Sequence, residues 1–181
     1  ARATEVENIR DDMFAGRPIN TTEGRRVLHV ALRDRSKAAD QSVALEVSQV
    51  LERLLAYTNS LRGGRTVGIT GQPISNIISI GIGGSHLGPL LVTEALKDEA
   101  GPKIHFAANL DGHDLASAIA GSNPETTQVL IASKSFTTEE TLTNTISATA
   151  WLTDKLGPNA PTKHLIALTA NSEAATALGI P

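Results

Sequence analysis

Residues 129–141 carry the sequence VLIASKSFTTEET. The apolar run at its start, VLIA, predicts a buried strand, and the residues from Thr137 onward predict a long amphipathic helix. Hydroxyl side chains and Lys134 are concentrated where the strand ends and the helix begins. At such a junction, free backbone N–H groups and the helix dipole favour a bound phosphate. The stretch therefore predicts an α/β fold and a ligand class, phosphorylated small molecules.

Strands and helices alternate on both sides of this segment. Near-continuous apolar runs, typical of strands covered on both faces, predict strands at 76–82, 103–108, 127–132 and 163–168. Amphipathic stretches between and after them predict helices at 85–98, about 112–120, 137–156 and 172–178. This order implies a parallel sheet with right-handed crossovers.

The N-terminal third has a different pattern. A partial helix is expected up to about Ala15, followed by less regular chain over residues 16–35. Apolar residues at three-and-four spacing then predict a helix over 37–61, which ends at the glycine pair 63–64. The predicted fold class is a three-layer αβα sandwich with a parallel sheet, preceded by N-terminal helices. We expect a helical segment at 1–64 and the sheet domain at 65–181.

Composition excludes several classes of function. The 181 residues have a formal net charge of -3, which provides no basic field for nucleic acid. Cysteine is absent, so disulfide scaffolds and thiol chemistry are excluded. No apolar run approaches the ~18 residues of a membrane span, and the first residues are polar. We expect a cytoplasmic protein that contacts neither nucleic acid nor membrane.

The carboxyl ends of the predicted strands define where a ligand would bind. In a parallel sheet, ligands bind beyond these ends. The residues that follow the four strands, 83–86, 109–112, 133–135 and 169–172, are all small, polar or glycine-rich. One edge of the sheet is therefore expected to hold a polar ligand.

The segment GIGGS at 81–85 has two interpretations. It is not a dinucleotide fingerprint, because the third glycine of that motif would have to replace His86. Glycines here suit a tight turn and a close approach of the backbone to a ligand, with Ser85 offering its hydroxyl and N–H. Alternatively, the segment is a plain strand–helix turn in which Ser85 caps the next helix.

The segment SKSFTT at 133–138 also has a structural alternative. Thr137 and Glu140 fit a capping box, in which each side chain satisfies a free N–H at a helix start. That explanation leaves Ser133, Lys134, Ser135 and Thr138 unexplained. Hydroxyls beside an ammonium group form a suitable oxyanion site, so phosphate binding remains the favoured interpretation.

Catalytic groups are harder to find in this sequence. The five histidines do not have a metal-ligand spacing, and no Ser–His–Asp order or pair of catalytic carboxylates stands out. The sequence thus predicts a binding site without an evident proton-transfer group, and neither a metal nor a cofactor is expected.

Three motifs, in order along the chain, resemble signatures of the glucose-6-phosphate isomerase family. They are NTTEGRRVLHVALR at 20–33, GIGGSHLGP at 81–89 and SKSFTTEETLTN at 133–144. The resemblance implies the sugar-isomerase (SIS) fold, a five-stranded parallel sheet flanked by helices. The chain resembles an N-terminal SIS-domain fragment of such an enzyme, in which the fifth strand is missing.

The resemblance also implies residue roles. By motif, Ser133, Ser135 and Thr138 would hold phosphate oxygens, and Lys134 would add its backbone N–H and its charge. Two further residues, Gly84 and Ser85, would line the sugar side. The family usually has threonine at position 135, where the hydroxyl is retained here, and often aspartate at position 86, so His86 is assigned no role.

The implied activity is aldose–ketose interconversion of glucose 6-phosphate and fructose 6-phosphate, in glycolysis and gluconeogenesis. The family's catalytic glutamate, ring-opening histidine, stabilising arginine and substrate lysine lie in motifs further on and match no position here. The expected partner is a phosphorylated hexose, and the full-length enzyme is expected to be a homodimer. The alternative is a stand-alone SIS module that senses sugar phosphates, although such a module does not need the segment at 20–33.

Overall fold

The computed structural model describes residues 2–33, 41–97 and 101–181. Within it the chain divides into two compact units, Ala1–Thr58 and Asn59–Pro181. The boundary between these units lies inside a helix, whereas the predicted domain boundary at 64/65 lies just after that helix. The division at 64/65 stays a prediction.

The first unit is helical. Helix α1 spans Arg2–Phe14, as expected, and a 3₁₀ turn follows at His29–Leu32. Helix α2 spans Gln41–Arg62 and continues into the second unit. The predicted start of this helix, at residues 37–40, lies outside the described residues.

The second unit is built on a parallel sheet of four strands. They are β1 (Asn76–Ile80), β2 (Lys103–Ala107), β3 (Thr127–Ala132) and β4 (Leu165–Leu168). The strand order is β2-β1-β3-β4 and every pairing is parallel. The predicted α/β class and parallel sheet are thereby confirmed.

The helices that follow β1 in this unit connect successive strands, except for the last helix, which comes after β4. They are α3 (Leu87–Ala95), α4 (Gly112–Ala120), α5 (Glu139–Leu156), α6 (Pro161–His164) and α7 (Ser172–Ala177). The chain leaves β1 toward β2 and later crosses back toward β3 and β4. Right-handed crossovers therefore put α3 on one face of the sheet, and α4 and α5 on the other.

The core lies between the sheet and helices α4 and α5. Register pairs Ile78 with Val129 and Ile80 with Ile131, so these four side chains share one face, and all are fully excluded from solvent. The helix side chains that join them in the core are Leu115, Ala118, Ala148 and Leu152. This packing fixes the carboxyl ends of β1 and β3 side by side.

The sequence pattern did not predict helix α6. Residues 163–164 were predicted to begin the last strand, but they end helix α6, for which Pro161 provides a preset φ at the first turn. His164 is fully buried, its Nδ1 lies 2.6 Å from the Thr127 carbonyl oxygen, and its Nε2 accepts a hydrogen bond from the Ile69 N–H. Its ring thus joins the loop before β1 to the start of β3, a structural role.

Candidate phosphate-binding site

Two loops meet at the carboxyl edge of the sheet. We call residues 81–85 the glycine turn and residues 133–138 the hydroxyl loop. They follow neighbouring strands, because β1 pairs with β3. A Cβ placed on Gly81 would lie 2.9 Å from the Ser85 Cβ and 3.2 Å from the carbonyl oxygen of Ala132, the last residue of β3, so the first residue of the glycine turn lies close to the end of the strand that precedes the hydroxyl loop.

The hydroxyl loop is organised by its own side chains. Ser133 is buried, and its Oγ accepts a hydrogen bond from the Phe136 N–H and lies 3.3 Å from Thr138 Oγ1. Ser135 Oγ lies 2.7 Å from Thr137 Oγ1 at an exposed position. The exposed or half-buried hydroxyls are thus those of Ser135, Thr137 and Thr138. Ser133 shapes the loop, and its direct contact with phosphate stays a prediction.

Phe136 fixes the direction in which the loop turns. Its φ is 58°, and among the described residues it is the one non-glycine residue with positive φ. The left-handed conformation costs a bulky residue about 1–2 kcal/mol. The side chain is only 3% exposed and belongs to the core cluster. Burial of the ring therefore offsets the strain and anchors the middle of the loop.

Helix α5 begins later than predicted and without the predicted cap. Its N-cap is Thr138, whose side chain makes no capping hydrogen bond, and the first helical residue is Glu139. The expected capping box of Thr137 and Glu140 is wrong, because the Thr137 hydroxyl is paired with Ser135 outside the helix. The N–H groups of the first helical turn are consequently left for an external acceptor, the arrangement that favours a bound anion.

The charges around this helix start are mixed. Lys134 is exposed and contributes a positive charge on the loop. Glu139, which is exposed, and Glu140, which is half-buried, lie in the first turn of α5. Their carboxylates interact favourably with the helix dipole, but their negative charge repels a phosphate at the same helix end. Affinity for a phosphate at this site must therefore come chiefly from hydrogen bonds donated by N–H and O–H groups.

The glycine turn offers space. Gly83 has a φ of 58° in a 3₁₀ turn that spans Gly83–Ser85. A Cβ on Gly84 would meet nothing within 4 Å, and this residue is exposed. The position that a side chain would take at residue 84 is therefore unoccupied by protein atoms.

Ser85 does not cap the next helix. Helix α3 begins at Leu87 with His86 as its N-cap, so the structural alternative for Ser85 is wrong. The Ser85 N–H donates to the Ile82 carbonyl, which removes it as a ligand donor and leaves the half-buried hydroxyl. The His86 ring packs edge-on against Phe106, and its buried Nδ1 has no hydrogen-bond partner among the described residues.

The loop that follows β4, residues 169–171, holds the hydroxyl loop from outside. The Lys134 carbonyl accepts hydrogen bonds from the Ala170 N–H, at 3.1 Å, and from Thr169 Oγ1, at 3.2 Å. Asn171 Nδ2 donates to the Ser135 carbonyl at 3.1 Å. The sequence marked this segment as polar but gave no sign of these bonds, which join the loops that follow two separate strands.

The end of β2 is closed by protein groups. Asp111 caps α4 by accepting the His113 N–H at 2.9 Å. This bond, and a further one from the His113 ring, hold the pKa of Asp111 below its usual value. Asp114 accepts the N–H groups of Ala108 and Asn109. The polar segment after β2 is thus explained by its own hydrogen bonds.

Other kinds of site find little support. Within residues 2–33, 41–97 and 101–181, no group of three or more acidic or histidine side chains could hold a metal ion. No helix in this described part is long and apolar enough to cross a membrane. A mostly apolar groove of about 560 Å³ lies away from the strand ends, lined by Thr145, Ile146, Thr149, Ala150, Thr153, Asp154 and Leu178. Its one charged residue, Asp154, makes it unsuited to an anion.

Known proteins resemble this chain over nearly all of its length. Glucose-6-phosphate isomerase from Eremothecium gossypii is 46% identical over 99% of the chain, and that from Mycolicibacterium gilvum is 45% identical over 99%. The enzyme of the same name from Alteromonas mediterranea is 46% identical. The chain covers 34% of the length of each of these relatives.

Solved structures share the fold. The crystal structure of a glucose-6-phosphate isomerase from Chlamydia trachomatis matches 93% of this chain with a TM-score of 0.74 at 25% identity, over 33% of its own length. The hypothetical protein TT0462 from Thermus thermophilus matches 98% of the chain with a TM-score of 0.66 at 21% identity, a likeness of fold alone. The phosphoglucose isomerase family model matches residues 1–181, and the chain therefore belongs to the phosphoglucose isomerase family.

Proposed function

We propose that this chain is the phosphate-binding, N-terminal part of a glucose-6-phosphate isomerase, which interconverts glucose 6-phosphate and fructose 6-phosphate in glycolysis and gluconeogenesis. Family membership over residues 1–181 supports the reaction class. The observation that carries the assignment of the site is the uncapped start of α5, surrounded by the hydroxyls of Ser135, Thr137 and Thr138.

The ligand is held by its phosphate in this proposal. The N–H groups of the first turn of α5 and the exposed hydroxyls of the loop donate to the phosphate oxygens. Lys134 adds its backbone N–H and its charge. Ser85 and the open face of Gly84 border the sugar, since the glycine turn and the hydroxyl loop follow the neighbouring strands β1 and β3.

The chemistry itself needs groups beyond these. Isomerisation opens the sugar ring and then moves a proton between C2 and C1 through an enediol, which requires a base. The loops at the carboxyl edge supply donors for the phosphate, but no paired acid and base. The contribution of this chain is binding energy from a remote group, which can position the reacting carbons for a base supplied elsewhere. The enzyme is proposed to work in the cytoplasm as a homodimer.

Titration calorimetry on the purified chain tests the ligand. We expect weak binding of fructose 6-phosphate and no measurable binding of fructose, because the phosphate is the group that is gripped. Equal affinity for the two sugars would overturn the phosphate site. We also expect no turnover of glucose 6-phosphate by this chain, and measurable turnover would refute the division of labour proposed above.

A pair of matched variants tests the location. Thr138→Ala removes a hydroxyl beside the helix start and should weaken fructose 6-phosphate binding by about three- to tenfold. Thr143→Ala makes the same change at an exposed position on α5 and should leave affinity unchanged. If the two variants bind alike, the ligand lies elsewhere.

The alternative function, a stand-alone sugar-phosphate sensor, predicts a different length for the reading frame. A reading frame that continues for hundreds of codons beyond Pro181 favours the enzyme, whereas a stop codon there favours a stand-alone sugar-phosphate sensor.

A further inference from the structure

We propose that Thr169 and Asn171 are positioning residues, which hold the peptides on either side of Ser135 so that the Ser135 N–H faces the phosphate. Neither residue is assigned a contact with the ligand, because each acts on the loop's backbone. The inference rests on the proposed function, since it concerns the same phosphate site.

Two consecutive carbonyls of the hydroxyl loop are held by the loop after β4. Thr169 Oγ1 and the Ala170 N–H both donate to the Lys134 carbonyl. Asn171 Nδ2 donates to the Ser135 carbonyl. The Thr169 hydroxyl also accepts a hydrogen bond from the Asn171 backbone N–H at 3.0 Å, so the Thr169 side chain also holds the backbone of Asn171.

The direction of these carbonyls determines the direction of the N–H groups. In a planar trans peptide, the N–H points opposite to the C=O. The peptide that carries the Ser135 carbonyl also carries the Phe136 N–H, which points inward to Ser133 Oγ. The peptide that carries the Lys134 carbonyl carries the Ser135 N–H, which therefore points away from the β4 loop. Within the described residues this N–H donates to no acceptor.

The loop needs this external support because its conformation is strained. Phe136 has a positive φ, and conformations of this kind persist only where the surroundings over-determine them. The buried Phe136 ring anchors the loop to the hydrophobic core. The bonds from Thr169 and Asn171 hold it from the side of β4 and thereby fix the peptide planes on either side of Ser135.

The first test compares two changes at position 169. Thr169→Val removes the hydroxyl and keeps the β-branched shape, whereas Thr169→Ser retains the hydroxyl. We expect Thr169→Val to weaken binding of fructose 6-phosphate and of inorganic phosphate by about three- to tenfold, and Thr169→Ser to bind within about twofold of the wild type. Equal affinities for the two variants and the wild type would overturn the inference for Thr169.

The second test separates positioning from helix capping. Asn171 Oδ1 also accepts the Ala174 N–H at the start of α7. Asn171→Ser keeps a capping oxygen but cannot reach the Ser135 carbonyl, and we expect a similar loss of affinity. Asn123→Ser is the control, because Asn123 caps a turn at the opposite end of β3 by accepting the Glu125 N–H. Asn123→Ser should leave affinity unchanged, and equal losses in both variants would refute a specific role.

A spectroscopic readout distinguishes positioning from general destabilisation. In the wild type, the amide resonance of Ser135 should shift when inorganic phosphate is added, and this shift should be smaller in Thr169→Val and recovered in Thr169→Ser. A shift of the same size in all three proteins would overturn the inference. If the wild type binds neither phosphate nor fructose 6-phosphate, the proposed function itself fails. If the wild type binds and the variants bind with the same affinity, only the positioning role is refuted and the proposed function stands.

Discussion

Helices α4 and α5 begin at the same edge of the sheet, but their first turns are completed in different ways. The start of α4 is filled by a protein carboxylate, because Asp111 accepts the His113 N–H. The start of α5 has Thr138 as N-cap, and its side chain makes no capping bond. The helix end proposed to bind an anion is thus the one whose N-cap side chain makes no capping bond. The two helices differ in whether a side chain of the protein already supplies a carboxylate that caps the first turn.

The largest expected effect is a loss of stability on removal of the ring that anchors the loop before α5. Phe136→Ala removes a buried ring that anchors a left-handed residue, and should lower the free energy of unfolding by about 3–5 kcal/mol. Denaturant unfolding measures this loss, and Phe136→Leu should recover most of it. A loss below about 1 kcal/mol for the alanine variant would show that the ring does not anchor the loop.

The next prediction concerns a substitution that gives α5 a carboxylate N-cap like that of α4. Thr138→Asp places a carboxylate at the N-cap, where it can accept the free N–H groups and repel a phosphate. We expect binding of fructose 6-phosphate to fall by more than about tenfold, while the melting temperature is kept or raised. Thr138→Asn, a neutral cap, should reduce affinity less. Undiminished binding by the aspartate variant would contradict the comparison.

Much of the fold could be predicted from the sequence because the strands are nearly continuous apolar runs. Three of the four predicted strands begin at the residue where the structure begins them, at 76, 103 and 127. The parallel arrangement followed from the alternation of strands with helices. The start of β4 was wrong because local apolar pattern does not record that Pro161 begins a helical turn that His164 ends.

The location of the site stays a prediction, and its details had no signal in the sequence. Polar strand ends indicated the carboxyl edge of the sheet, and the two loops follow neighbouring strands at that edge. The capping box failed because Thr137 pairs with Ser135, an alternative that the same residue types permit equally well. Neither the left-handed Phe136 nor the bonds from Asn171 to the hydroxyl loop have a local signature, since both depend on packing between separate strands.

A smaller effect on stability is expected in the glycine turn. Gly84→Ala adds a Cβ that meets nothing within 4 Å, so the free energy of unfolding should change by less than about 0.5 kcal/mol. Affinity for fructose 6-phosphate should nevertheless fall several-fold, because the methyl group occupies the space assigned to the ligand. Gly81→Ala is the contrasting variant, since its Cβ would lie 2.9 Å from the Ser85 Cβ and should destabilise the protein. Unchanged affinity in Gly84→Ala would move the ligand away from this turn.

The smallest effect concerns the closed end of α4 and depends on pH. Hydrogen bonds from the His113 N–H, and then from the His113 ring, lower the pKa of Asp111 in the folded protein. Because the folded-state pKa is the lower one, the carboxylate stabilises the protein above the unfolded-state pKa of about 3.9 and ceases to do so as pH falls through the folded-state value. Asp111→Ala should therefore lower the melting temperature slightly at pH 7, and this difference should disappear in acid.

Asp111→Asn separates the charge from the cap, since asparagine keeps an acceptor that does not titrate in this range. Its melting temperature should exceed that of Asp111→Ala by a margin that persists in acid. Both variants should bind fructose 6-phosphate like the wild type, because the proposed ligand is held at the start of α5 and not at the start of α4. A loss of affinity comparable to that of Thr138→Asp would mean that the two helix ends act on the ligand together, and the distinction between a closed and an open end would be lost.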